Sequence, residues 1–119
     1  MMTGVMKYKL DRYILPTRSK IDTKLYDAIF RTLDEAMNDG AGWSGDVKQI
    51  QAFIQDLAEQ ANTNYAVEDI GPNRYFDRLD VEVTFEPYGV TPMKCTLYFT
   101  IDAEECIRAD ADYLNKNLN

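Results

Sequence analysis

Alternation of apolar and polar residues is most sustained between Leu79 and Asp102, LDVEVTFEPYGVTPMKCTLYFTID. Leu79, Val81, Val83 and Phe85 alternate with Asp80, Glu82, Thr84 and Glu86, and Met93, Cys95, Leu97, Phe99 and Ile101 alternate with Lys94, Thr96, Tyr98 and Thr100. A period of two sends successive side chains to opposite faces of a strand. The stretch therefore predicts an antiparallel hairpin with one face on a core and the other toward water or a partner. Matching apolar positions across it pairs Phe85 with Cys95, Val83 with Leu97, Val81 with Phe99 and Leu79 with Ile101. The outer face then sets Glu86 against Lys94, Thr84 against Thr96 and Glu82 against Tyr98.

Upstream, Met6, Tyr8 and Leu10 alternate with Lys7, Lys9 and Asp11, which predicts a first strand ending near Pro16. Asp22 then stands before a helical pattern of Leu25, Tyr26, Ile29, Phe30, Leu33, Ala36 and Met37, with Gly40 as its stop. After a glycine-rich link containing Trp43, either Ser44 or Asp46 caps a second helix whose stripe is Val47, Ile50, Phe53, Ile54, Leu57, Ala58 and Ala61 and which frays at Asn62. The short link implies a helical hairpin with both stripes on the sheet. Residues 65–70, YAVEDI, suggest a short strand too brief to fix its face. Asp102, with Glu105 three residues on, predicts a capping box for a last helix whose apolar edge is Ala103, Cys106, Ile107, Ala111, Leu114 and Leu118.

The order is thus β-α-α-β-β-β-α, an α+β fold. A single antiparallel sheet of about four strands carries a helical hairpin and a C-terminal helix on one face. The pattern leaves the first strand's place in the sheet open. The 119 residues form one domain, large enough to fold without a metal or disulfide staple, and Met1, Met2 and Met6 as alternative starts make residues 1–5 a tail.

Charge changes the picture more than composition does. The formal net charge is −7, but residues 1–31 hold seven Lys or Arg against three Asp, whereas residues 32–119 hold six against seventeen acids. A pI near 4.5 argues against direct nucleic-acid binding, which needs clustered cations, and leaves basic protein surfaces as partners. No apolar run approaches the ~18 residues of a membrane span, and the first residues lack a signal core, so the expected location is cytoplasmic. Cys95 and Cys106 have no metal spacing and fall on core-facing positions, as buried free thiols do.

Candidate chemistry is sparse. The chain has no histidine, which removes the usual general base, the commonest zinc ligand and every Ser-His or Cys-His pair. Ser44 followed by Lys48 reads as a helix start rather than a nucleophile and its base. The glycines around Trp43 lack the spacing of a phosphate loop, and Asp46 would repel a phosphate. Arg74, Tyr75, Phe76 and Arg78 interleave cations and aromatics, but among Asp69, Asp77 and Asp80 they read as a loop with an aromatic plug. Asp80, Glu82 and Glu86 on an open sheet face lack the desolvation that catalytic carboxylates need. Neither a catalytic residue, a metal nor a cofactor is expected.

What remains is a surface. Asp80, Glu82, Glu86 and Tyr98 on the outer sheet face, with Trp43 as an anchor if exposed, are the candidate partner-binding residues. Lys7 and Lys9 would neutralise that face if the first strand pairs beside the hairpin. The expected function is a non-enzymatic acidic protein-binding module. Its type, a small acidic domain without histidine, is common among inhibitor and immunity proteins of phages and mobile elements that block larger, often nucleic-acid-binding, targets; the analogy transfers no residues. A structural homo-oligomer, such as a homodimer, is the second reading, and a small-molecule-binding domain with a pocket between helices and sheet the third.

Overall fold

The computed structural model describes residues 6–38, 43–72, 74, 77–108 and 111. In chain order it contains β1 (Tyr8–Ile14), a single 3-10 turn (Arg18–Lys20), α1 (Thr23–Asn38), β2 (Ser44–Gly45), α2 (Val47–Gln60), β3 (Asn64–Pro72), β4 (Arg78–Glu86) and β5 (Met93–Ile101). A last helix, α3, comes after β5, described at 103–108 and 111. All strands pair antiparallel in one curled sheet of order β2-β1-β5-β4-β3. The α+β class holds, with five strands rather than four. The extra one, Ser44–Gly45, pairs with Lys9 and Tyr8 and is too short to leave an alternation in the sequence. The first strand lies between β2 and the last strand, β5, which holds the middle of the sheet.

The helices form where the sequence supplies caps and stripes. Asp22 Oδ1 accepts the Leu25 N–H at 3.1 Å, which opens α1. Asp46, not Ser44, caps α2 in a full capping box, with Gln49 N–H donating to Asp46 Oδ1 at 2.9 Å and Asp46 N–H to Gln49 Oε1 at 2.8 Å. Where fraying was expected, α2 ends cleanly. Asn62 takes a left-handed φ of 52°, Thr63 N–H donates to Ala58 O and Asn62 N–H to Glu59 O, the two bonds of a Schellman ending. Leu25, Ile29 and Leu33 of α1 and Ile50, Phe53, Ile54, Leu57 and Ala58 of α2 close on the inward residues of β1, β4 and β5. Phe30 departs from its expected stripe: it is exposed and stacks on Tyr26, with Tyr13 edge-on.

The β4–β5 register is two residues tighter than matching apolar positions suggests. Phe85 pairs with Met93, Val83 with Cys95, Val81 with Leu97 and Leu79 with Phe99, so the outer pairs are Thr84–Lys94, Glu82–Thr96 and Asp80–Tyr98. The reversal over Pro87–Pro92 uses Gly89 at φ 79°, which lets the ladder run closer to the turn. A two-residue slip leaves every side chain on its own face, which is why the facing was predictable and the partners were not.

In its described part the last helix docks through one residue. Among its described apolar positions only Cys106 is buried, while Ala103, Ile107 and Ala111 are exposed. Lys7 N–H donates to Cys106 Sγ at 3.1 Å, and Asp102 N–H donates to Lys7 O at 2.8 Å. The expected capping box is therefore half made: Asp102 Oδ1 accepts the Glu105 N–H, while the Glu105 carboxylate pairs with Arg108. Both cysteines are free and buried. The expectations for residues 1–5, for Gly40, for Tyr75 and Phe76, and for Leu114 and Leu118 lie outside the described residues. Among the described residues no helix is long and apolar enough to cross a membrane.

Candidate functional site

The register arranges the outer sheet face in rows. Because residues that pair across strands share a face, one row reads Lys9, Thr100, Arg78; the next Arg12, Tyr98, Asp80, Gly71; the next Ile14, Thr96, Glu82, Asp69. Below them come Lys94, Thr84 and Ala66, then Glu86 beside Asn64. Asp80, Glu82, Glu86 and Tyr98 are thus brought onto one face. Trp43 is not with them. It is half-buried on the other side, its ring centroid 5.0 Å from Phe53 and 5.7 Å from Phe99, so it serves the core instead of offering an exposed ring.

The face is not uniformly acidic. β1 sits directly against β5 and contributes Lys9 and Arg12, and β5 contributes Lys94, whereas β3 and β4 contribute Asp69, Asp80, Glu82 and Glu86, with Arg78 at the start of β4 as their one outward cation among the described residues. The first strand does pair beside the hairpin, but of the two lysines expected to neutralise the face only Lys9 stands in its rows; the Lys7 ammonium donates to Gln49 Oε1 of α2 at 2.9 Å. Tyr98 stands on the boundary, with the Arg12 guanidinium stacked 4.2 Å from its ring centroid and Asp80 opposite on the other flank. Here Arg12, Asp11, Arg78, Asp80, Tyr98 and Thr100 line a shallow hollow of about 480 Å³. A smaller hollow of about 280 Å³ lies among Glu68, Glu82, Lys94 and Thr96.

Two residues on this face, Asp69 and Arg12, escaped the sequence. Asp69 lies directly opposite Glu82 because β3 bulges between Val67 and Asp69, inserting Glu68 and reversing the facing of the residues beyond it. That bulge is why YAVEDI has no readable face. Arg12 arrives by a second bulge, between Leu10 and Arg12 in β1. Neither bulge leaves a periodic signal.

Chemically the face is built of exposed charges around one tyrosine. Among the described residues no group of three or more His, Cys, Asp or Glu is placed to hold a metal ion. The Cys95 thiol, buried beneath the sheet, is pushed up to about 12 by desolvation, which keeps it protonated and unreactive at neutral pH. Burial also raises Tyr8 and Tyr13, Tyr8 with help from nearby Cys106 and Asp77 and Tyr13 from Asp34 and Tyr26. Ser44 sits in β2 with its hydroxyl buried and without a hydrogen-bond partner, while Lys48 is exposed on α2. Comparison with protein families, with curated proteins and with solved structures finds no match to this chain. Its reading rests on its own geometry.

Proposed function

We propose that this protein is a non-enzymatic binding module of inhibitor or immunity type that applies the β3–β4 half of its outer sheet face to a basic surface on a larger protein. One observation carries the reading. Asp69, Asp80, Glu82 and Glu86 gather on two adjacent strands with no cation between them on either, and Asp69 and Glu82 stand directly opposed. Like charges facing each other across a ladder destabilise a sheet, so the arrangement works against folding and favours a cationic partner. Tyr98 at the boundary supplies rigid contact area, and Lys9, Arg12 and Lys94 on the far half orient the partner by repelling its basic surface.

The test is affinity capture from the native host with the wild type and with Glu82→Lys/Glu86→Lys. The wild type is expected to retain one partner that elutes with rising salt, since exposed charges are screened beyond about 8 Å at physiological ionic strength. The double reversal is expected to lose it at least about tenfold. No partner, or a partner held equally by both proteins, would refute the reading.

A further inference from the structure

β3 ends the sheet with its core-side face uncovered. Tyr65 and Val67 share a face with their β4 partners Phe85 and Val83, yet Phe85 and Val83 are 0% and 1% exposed while Tyr65 and Val67 are 38% and 37% exposed. The apolar surface runs one strand further than the helices cover. Between them lies a groove of about 440 Å³ lined by Lys48, Gln51, Ala52 and Gln55 of α2 and by Tyr65 and Val67 of β3. Among the described residues the outer edge of β3 pairs with no other strand, and in an antiparallel ladder every second backbone N–H and C=O points toward such an edge. Groove and edge together make a space one strand wide.

We propose that Asn64–Val67 accepts an extended segment of another protein as a sixth strand, one in which apolar residues alternate with Lys or Arg. The proposal rests on the reading of the protein as a binding module and names the partner's chemistry. Residues of the added strand on the inner row would lie over Tyr65, Val67 and Ala52, where Lys48 at the helix rim opposes a cation and its stem favours apolar contact. On the outer row, a residue beside Asn64 would continue the row of Glu86, and a residue at the Val67 end would approach Glu68 at the bulge and Asp69 beyond it, where a cation is stabilised. A second copy of this chain is the poorer occupant: it would bring two molecules of net charge −7, each with Glu68 and Asp69, to one seam. Main-chain bonds along β3 supply affinity and the alternation supplies specificity, as in other strand-addition complexes.

The experiment uses the full chain and a short synthetic peptide of alternating valine and lysine. The peptide is expected to bind and to slow amide exchange at residues 64–67. Glutamate in place of lysine should abolish binding. Backbone N-methylation, which keeps charge and side chains but removes the ladder bonds, should weaken binding at least about tenfold. Val67→Lys, at a position already exposed, is expected to do the same while the protein still unfolds cooperatively. Three results overturn the proposal: no binding of the lysine peptide, equal binding of its N-methylated form, or a dimer in light scattering that Val67→Lys dissolves. The two proposals fail separately. If Glu82→Lys/Glu86→Lys loses the host partner but the peptide does not bind, the acidic face stands and the strand-accepting edge falls. If capture ignores those reversals but the peptide binds and protects residues 64–67, the edge stands alone.

Discussion

Gly45→Ala should be the most damaging glycine substitution in the described part of this protein, although it adds a single methyl group. A Cβ at Gly45 would lie 2.7 Å from Gln49 Cβ and 2.9 Å from Trp43 Cζ2, against an ordinary contact of 3.4–4 Å. Gln49 Cβ belongs to the first turn of α2 and cannot swing aside as a side-chain tip does. Relief therefore requires β2 to part from Tyr8, or Trp43 to leave Phe53 and Phe99, or the Asp46–Gln49 capping box to open. Overpacking of this kind costs about 1–3 kcal/mol, and loss of the cap alone about 1 kcal/mol. We expect about 2 kcal/mol, a fall in Tm of roughly 6–8 °C for a domain of this size. Trp43 is the only tryptophan, so its fluorescence reports both the unfolding transition and any red shift from native-state displacement. Two controls bracket the effect. Gly71→Ala meets nothing nearer than Asp69 Oδ2 at 3.7 Å and should stabilise slightly, by about 0.5 kcal/mol. Gly89→Ala meets no atom but holds φ 79°, and should cost about 1 kcal/mol through backbone strain. If Gly45→Ala proves no worse than Gly89→Ala, β2 does not pack against α2 as closely as these distances require.

Thr84 is 2% exposed with a hydroxyl that makes no hydrogen bond, so Thr84→Val should raise stability in denaturant unfolding by about 0.5–1 kcal/mol; a loss would mean the hydroxyl has a partner. Asp69→Lys replaces a facing like-charge pair by an opposite one and should add about 0.5 kcal/mol at low salt, shrinking toward zero at high salt, while weakening capture of the host partner. A gain that persists at high salt would exclude the electrostatic cause. Cys95 is raised in the fold from 9.0 to about 12, so the stability it contributes is whole below about pH 9 and drains as pH climbs toward 12. Tyr8 and Tyr13, raised in the same direction, add to the alkaline loss. Denaturant midpoints should hold level up to about pH 8.5 and then fall, less steeply in Cys95→Val; an equal fall would show that Cys95 does not contribute.

Which residues face the core was legible wherever the pattern is local. Phe85, Leu97 and Phe99, and Ile29, Leu33, Ile50 and Ile54, are all buried as alternation or helical spacing requires, because a side chain's direction follows from the period of its own element. The same rule gathered Asp80, Glu82, Glu86 and Tyr98 on one face before any strand order was known. Helix starts at Asp22 and Asp46 were equally local, since a cap is a bond between residues three apart.

Everything that depends on which strand lies beside which came from the tertiary structure. Sequence alternation cannot distinguish registers two residues apart, so Phe85 was matched to Cys95 rather than Met93. Ser44–Gly45 is too short for any period, and the bulges at Asp11 and Glu68 shift the facing within β1 and β3 without changing composition. These features put Arg12 over Tyr98, set Asp69 opposite Glu82 and leave Tyr65 and Val67 uncovered at the edge. By itself the sequence determined that this protein has an apolar and a charged sheet face, because each residue's facing is set by its neighbours in the chain. Only the tertiary structure decided that Lys9 and Arg12 lie across this face from Asp69, Glu82 and Glu86, because that depends on the pairing of β1 with β5, two segments far apart in the chain.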